Sequence, residues 1–141
     1  MDTLSAYICF NMRAAMKKID RLFGGKLDEV GISIPQSFIL SCLYEENGLT
    51  LKEIGSRTLI DSSSMTVLVD KLEKDQLVKR QLDSKDRRAI RVFITDTGME
   101  MAEKIHTVIL NLNTLLFDLL GEGNQKEFIH GLNNIVNGIE D

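Results

Sequence analysis

The sequence predicts a mainly α-helical chain carrying one small β-hairpin. Three observations point there. Apolar residues recur at helical spacing along most of the 141 residues. The period changes from 3.6 to 2 only once, between Val78 and Ile94. A single proline and no tryptophan leave too little turn punctuation for a sandwich or propeller of many short strands. With 43% hydrophobic and 27% charged residues, the chain can bury an ordinary core. At this size it buries roughly two-thirds of its unfolded surface, enough for a fold without metal or disulfide.

Leu4, Ile8, Ala15, Ile19 and Leu22 predict a first helix to about Phe23, with Gly24-Gly25 ending or turning it. Ser33-Ile34-Pro35-Gln36 combines an N-cap, a first-turn proline and a glutamine three residues after the cap. It opens a second helix that buries some of Phe38, Ile39, Cys42 and Leu43 and stops near Asn47-Gly48. Thr50-Leu51-Lys52-Glu53 is another capping box, opening a short third helix with Leu51 and Ile54 inward. After the turn Leu59-Ile60-Asp61, a fourth helix runs from about Ser62 to Lys74. Its apolar face is Met65, Leu68, Val69 and Leu72. Ser63, Val67, Lys71 and Lys74 lie roughly opposite, flanked by Ser64 and Thr66.

Val78–Leu82 and Ile90–Ile94 read as two strands around a polar tip, Asp83-Ser84-Lys85-Asp86-Arg87-Arg88-Ala89. Thr95-Asp96-Thr97-Gly98 caps a long fifth helix to Gly121. Along it Ile105, Val108, Leu112, Leu115 and Leu119 alternate by three and four, a coiled-coil-like seam. A last helix begins at Asn124–Glu127 and carries Phe128, Leu132, Ile135 and Ile139 on one stripe. A body this small cannot cover such seams, so a symmetric homodimer is expected. The alternative is an intramolecular bundle with the first helix.

Charge separates the middle from the ends. From Lys52 to Arg91 ten basic residues face seven acidic ones, net +3, whereas the whole chain is −4. A basic middle in an acidic protein suits an anionic partner. The two cysteines, Cys9 and Cys42, exclude a disulfide-dense scaffold and a four-cysteine zinc site. His106 and His130 lie on different helices, so no metal site and no cofactor are expected. No glycine-rich phosphate loop, nucleophile elbow or triad is present, which argues against an enzyme. No apolar run is long enough to span a membrane. Met1-Asp2-Thr3-Leu4 lacks the basic start of a secretory signal, so the cytoplasm is the expected location.

A short helix, a turn, a helix with a polar outer face and a basic hairpin make a winged helix-turn-helix. The major groove of double-stranded DNA, about 12 Å wide, admits one such helix. Serine and threonine hydroxyls can bond base edges or phosphates there. A basic loop beside it can reach a narrow minor groove, where arginine is attracted. The contrasting possibility is a helical interaction module whose winged lobe binds protein.

The stretch Leu49–Gly98 resembles the MarR (multiple antibiotic resistance regulator) family of bacterial transcription factors. The resemblance rests on Asp61-Ser62-Ser63-Ser64-Met65-Thr66, Val69-Asp70-Lys71-Leu72-Glu73 and Leu77-Val78-Lys79-Arg80. The wing run Asp83-Ser84-Lys85-Asp86-Arg87-Arg88 and the closing Ile94-Thr95-Asp96-Thr97-Gly98 complete it. It implies a winged lobe over residues 34–96 and dimerisation helices over residues 1–30 and 99–141. Arg88 is then the minor-groove finger, Asp86 the group that holds its guanidinium, and Lys85 and Arg87 phosphate contacts. Ser62, Ser63, Ser64 and Thr66 begin the recognition helix, with Val67 and Lys71 on its outer face. Many relatives carry arginine at the position of Val67, which as an outward valine could touch a thymine methyl.

The implied function is a repressor, homodimeric on a palindromic operator and released by a small phenolic or aromatic carboxylate. Cys9, Met12, Met16, Phe38 and Cys42 are the candidate ligand liners. The alternative is thiol-based peroxide sensing by Cys9, the position of the reactive cysteine in one branch of the family. That branch places tyrosines at the positions of Phe23 and Ile34 here, and neither of these can donate a hydrogen bond to a thiolate.

Overall fold

The computed structural model describes residues 3–140. A 3-10 turn, Thr3–Ala6, precedes helix α1, Ile8–Asp28. Then come α2 (Ile34–Glu45), β1 (Leu49–Thr50), α3 (Leu51–Thr58), α4 (Ser62–Lys74), β2 (Val78–Leu82), β3 (Ile90–Ile94), α5 (Asp96–Leu120) and α6 (Gln125–Gly138). The three strands form one antiparallel sheet in the order β1-β3-β2. The chain divides into two compact units, one up to Val108 and one from Ile109 onward.

The first helix departs from expectation at both ends. It starts at Ile8, after a break at Tyr7, and it runs straight through Gly24 and Gly25. A helical glycine costs about 1 kcal/mol against alanine, but continuing the helix buries Phe23 and, completely, Leu27. The stop comes later, at Gly31. Its φ of 76° lets the Gly31 N–H donate to the Asp28 carbonyl and the Ile32 N–H to the Leu27 carbonyl. Of the predicted apolar stripe, Leu4 in the 3-10 turn and Ile8 and Leu22 of α1 are exposed, while Ile19 is half-buried.

Both capping boxes form. The Gln36 N–H donates to Ser33 Oγ at 3.3 Å and the Ser33 N–H to Gln36 Oε1 at 3.0 Å. The Thr50 N–H donates to Glu53 Oε2 at 2.7 Å and the Glu53 N–H to Thr50 Oγ1 at 3.1 Å. Helix α2 buries Ile39, Leu40, Cys42 and Leu43, while Phe38, the fourth of its candidate core residues, is exposed. Its ring instead meets that of Phe23 at a centroid distance of 6.2 Å. Strand β1 was not foreseen. Two residues are too short to show a period, and they pair as Leu49 with Val92 and Thr50 with Arg91.

The junction after the hairpin explains the Thr-x-x-Gly run. The Thr95 N–H donates to the Leu77 carbonyl, its hydroxyl to the Gln76 carbonyl, and the Gly98 N–H to Thr95 Oγ1. This draws the first turn of α5 onto the turn between α4 and β2. A Cβ on residue 98 would sit 2.0 Å from the Leu77 carbonyl oxygen, so only glycine fits.

The core lies wholly in the first unit. Ile39, Leu40, Leu43, Ile54, Met65, Val69, Leu72, Val92 and Ile105 are fully or nearly fully buried. Among the described residues from Ile109 onward none is buried. There Leu115, Leu119, Phe128, Ile135 and Ile139 are exposed, and Leu112 and Leu132 half-buried.

Candidate nucleic-acid interface

Helix α4 is amphipathic as its sequence demands. Met65, Val69 and Leu72 are buried and Leu68 half-buried, while Ser62, Ser63, Ser64, Thr66, Val67 and Lys71 are all exposed. None of the six is required by the core. Val67 is 67% exposed, a β-branched residue held out in water.

The serines do not cap this helix; Asp61 does. Its carboxylate accepts the Ser64 N–H at 2.9 Å, the Ser63 hydroxyl at 2.6 Å and the Ser64 hydroxyl at 3.0 Å. These bonds, the Ser63 hydroxyl foremost, hold the Asp61 carboxyl down at about 2. The Thr66 hydroxyl donates to the Ser62 carbonyl at 3.2 Å. The donor hydrogens of Ser63, Ser64 and Thr66 are thus engaged within the helix. Their oxygens keep lone pairs that can accept from a base or a water-bridged phosphate. The turn before the helix is strained, with Leu59 at φ 59° and 83% exposed.

The hairpin pairs Val78 with Ile94 through Leu82 with Ile90, and Lys85, Asp86, Arg87 and Arg88 all lie exposed at its tip. One expected contact differs. Asp86 accepts the Arg88 backbone N–H at 3.0 Å rather than its guanidinium. The guanidinium–carboxylate pair of the wing is Arg91 with Asp83, at 2.5 Å. The two-residue separation of Asp86 and Arg88 favours a local backbone turn, whereas Asp83 and Arg91 flank the ladder from opposite strands. Asp83 Oδ1 also accepts the N–H groups of Lys85 and Asp86. The Lys85 N–H first, then the Arg91 guanidinium and the Asp86 N–H, hold the Asp83 carboxyl at about 2. Among the described residues no carboxylate lies within ion-pair distance of Lys85, Arg87 or Arg88, so their charge is available.

At its root the wing is bound to α4. The Arg80 guanidinium pairs with Asp70 and lies 3.7 Å from Glu73, and the Arg80 N–H donates to Glu73 Oε2 at 2.9 Å. Sequence reasoning took Asp70, Glu73 and Arg80 as signature residues only. Their acid-acid-base spacing across a helix and the following strand is the signal that finds the clamp.

The candidate ligand liners divide. Cys9, Met12 and Met16 are exposed on α1, Phe38 is exposed on α2, and Cys42 is buried. Burial raises the pKa of the Cys42 thiol, against the opposing pull of the Arg57 guanidinium. A cavity of about 300 Å³ lies between α3 and α4, lined by residues that include Leu51, Gly55, Ile60, Ser62, Met65 and Thr66. Among the described residues no three His, Cys, Asp or Glu side chains come together as a metal site, and no helix is long and apolar enough to cross a membrane.

A helix presenting a polar face the core does not use, joined to a basic hairpin through a three-stranded sheet, is the arrangement of a winged helix-turn-helix. Comparison with known proteins gives the same class. A family model described as "MarR family" matches residues 32–90. The HTH-type transcriptional regulator TtmR of Methylorubrum extorquens is 36% identical over 111 residues, 76% of this chain and 57% of TtmR. The organic hydroperoxide resistance transcriptional regulator of Bacillus subtilis is 28% identical over 72% of this chain and 69% of that protein. In fold, the chain matches the Staphylococcus aureus MepR–DNA complex with a TM-score of 0.88 at 20% identity, over 94% of this chain and 98% of that one. Residues 32–90 thus match the MarR family, and the comparisons support a winged-helix transcriptional regulator of that kind.

Proposed function

We propose that the chain is a sequence-specific repressor that binds a palindromic operator as a homodimer and leaves it when a small phenolic or aromatic carboxylate binds. The observation that carries the reading is the outward face of α4. Ser62, Ser63, Ser64, Thr66, Val67 and Lys71 are exposed together beside a wing whose Lys85, Arg87 and Arg88 have no carboxylate partner among the described residues. The α4 face enters the major groove, Arg88 the adjacent minor groove, and Lys85 and Arg87 the phosphates between. Asp86, by fixing the Arg88 backbone, aims that finger.

The dimer follows from the uncovered apolar residues of α1, α5 and α6, within residues 1–30 and 99–141. Two α4 helices read a palindrome when they stand about 34–36 Å apart, one turn of DNA. A ligand that prefers another spacing weakens DNA binding by its own difference in affinity. Exposed Met12, Met16 and Phe38 offer such a ligand apolar surface.

The test is a gel shift on the chain's own promoter fragment with salt titration. Arg88→Ala should weaken binding about tenfold and flatten the salt dependence, with an unchanged circular dichroism spectrum. Undiminished affinity rejects the wing assignment.

A second reading makes Cys9 a peroxide-sensing thiol. Its exposure on α1 and the similarity to the Bacillus subtilis hydroperoxide-resistance regulator favour it. Phe23 and Ile34, without hydroxyls, weigh against it. Mass spectrometry after organic peroxide treatment decides: Cys9 left reduced while DNA stays bound removes this reading.

A further inference from the structure

The wing beyond Leu82 and Ile90 has no third strand beside it, because β1 pairs only with Arg91 and Val92. A two-stranded ribbon is marginal alone, so something must fix where its tip stands. The last residue of β3 tied to β1 before the tip is Arg91, and its side chain reaches in three directions. Nε donates to Asp83 Oδ2 at 2.5 Å, Nη1 donates to the Gly48 carbonyl at 2.7 Å, and Nη1 lies 4.0 Å from Glu53 Oε2. Glu53 closes the capping box of α3, and Gly48 sits at the α2–β1 corner at φ 74°. Asp83, with its carboxylate 11% exposed, passes the constraint on to the N–H groups of Lys85 and Asp86, and Asp86 to that of Arg88.

We infer that Arg91 is a positioning residue for DNA binding. It locks the wing tip to the corner that carries α3 and so sets where Arg88 stands. Two carboxylates meet its charge, so it contributes little of its own to phosphate neutralisation. The planar guanidinium makes two directed bonds at fixed angles, which a lysine ammonium cannot reproduce. The inference rests on the proposed role of the wing in DNA binding.

A double-mutant cycle on the promoter fragment tests it, with Arg88→Ala as reporter. Arg91→Met should weaken binding about tenfold, and adding Arg88→Ala should then cost less than about twofold instead of tenfold. Asp83→Asn keeps an acceptor oxygen for Lys85 and Asp86 but removes the charge facing Arg91. It should lower the cost of Arg88→Ala in the same way, in a chain that keeps its loop bonds. Without DNA, the heteronuclear 15N NOE of residues 84–88 should fall in both variants, while that of α4 stays as in the parent. A full tenfold cost of Arg88→Ala in the Arg91→Met background, or an unchanged NOE at the tip, overturns the inference. If Arg88→Ala costs nothing in the parent chain, the DNA role of the wing fails, and the NOE alone decides the role of Arg91.

Discussion

The stretch up to Val108 and the stretch from Ile109 onward use similar apolar residues to opposite ends. In the first, leucine, isoleucine and valine from α2, α3, α4, the sheet and the start of α5 fill one another's spaces, and the largest are wholly buried. In the second, Phe128, Ile135, Val136 and Ile139 stand in water and no described residue is buried. Lone soluble domains rarely expose contiguous apolar patches beyond a few hundred Å². The contrast separates a lobe whose stability is intrinsic from a stretch whose stability, in the proposed dimer, is supplied by association and depends on concentration.

The first prediction breaks the self-sufficient half. Gly98→Ala puts a methyl group onto the Leu77 carbonyl, backbone that cannot step aside, and should cost about 3 kcal/mol. Thermal unfolding should show this loss equally at every protein concentration. The second breaks the other half. Leu115→Glu with Leu119→Glu, both at exposed positions, should leave the lobe's core intact yet give monomers by light scattering at micromolar protein. A dimer surviving both glutamates would place the interface elsewhere.

The third uses acid. Asp61 and Asp83 both lie in the first unit and both titrate at about 2, below the ordinary carboxylate value. A depressed carboxyl stabilises the fold above its unfolded value near 3.9, and the contribution is lost as pH falls toward 2. The melting temperature should therefore drop across that window, and less so in the Asp61→Asn, Asp83→Asn double variant. The smallest effect is a gain. Leu59→Gly relieves the left-handed backbone before α4 and should stabilise the lobe by up to about 1 kcal/mol, read by urea titration.

Much of the lobe could be read from the residues. Both hairpin strands fall at the expected positions, because β-branched Val78, Ile90, Val92 and Ile94 flank a polar tip rich in turn residues. Both capping boxes were equally plain, since Ser33–Gln36 and Thr50–Glu53 need only local chain. What stayed hidden depends on distant partners. Gly24-Gly25 looked like an end because the burial of Leu27 is a tertiary gain. The family resemblance implies Asp86 as the partner of the Arg88 guanidinium, whereas the ion pair that forms joins Asp83 and Arg91 across the hairpin. The anchoring of Arg91 to Gly48, 43 residues away, has no local signal at all.

One residue, Thr95, separates β3 from α5, and Gly98 seats that helix against the backbone of Leu77. There is no slack between them. A twist applied to the start of the long helix works like a crank on the joint where α4 hands over to the hairpin, with no flexible linker between them.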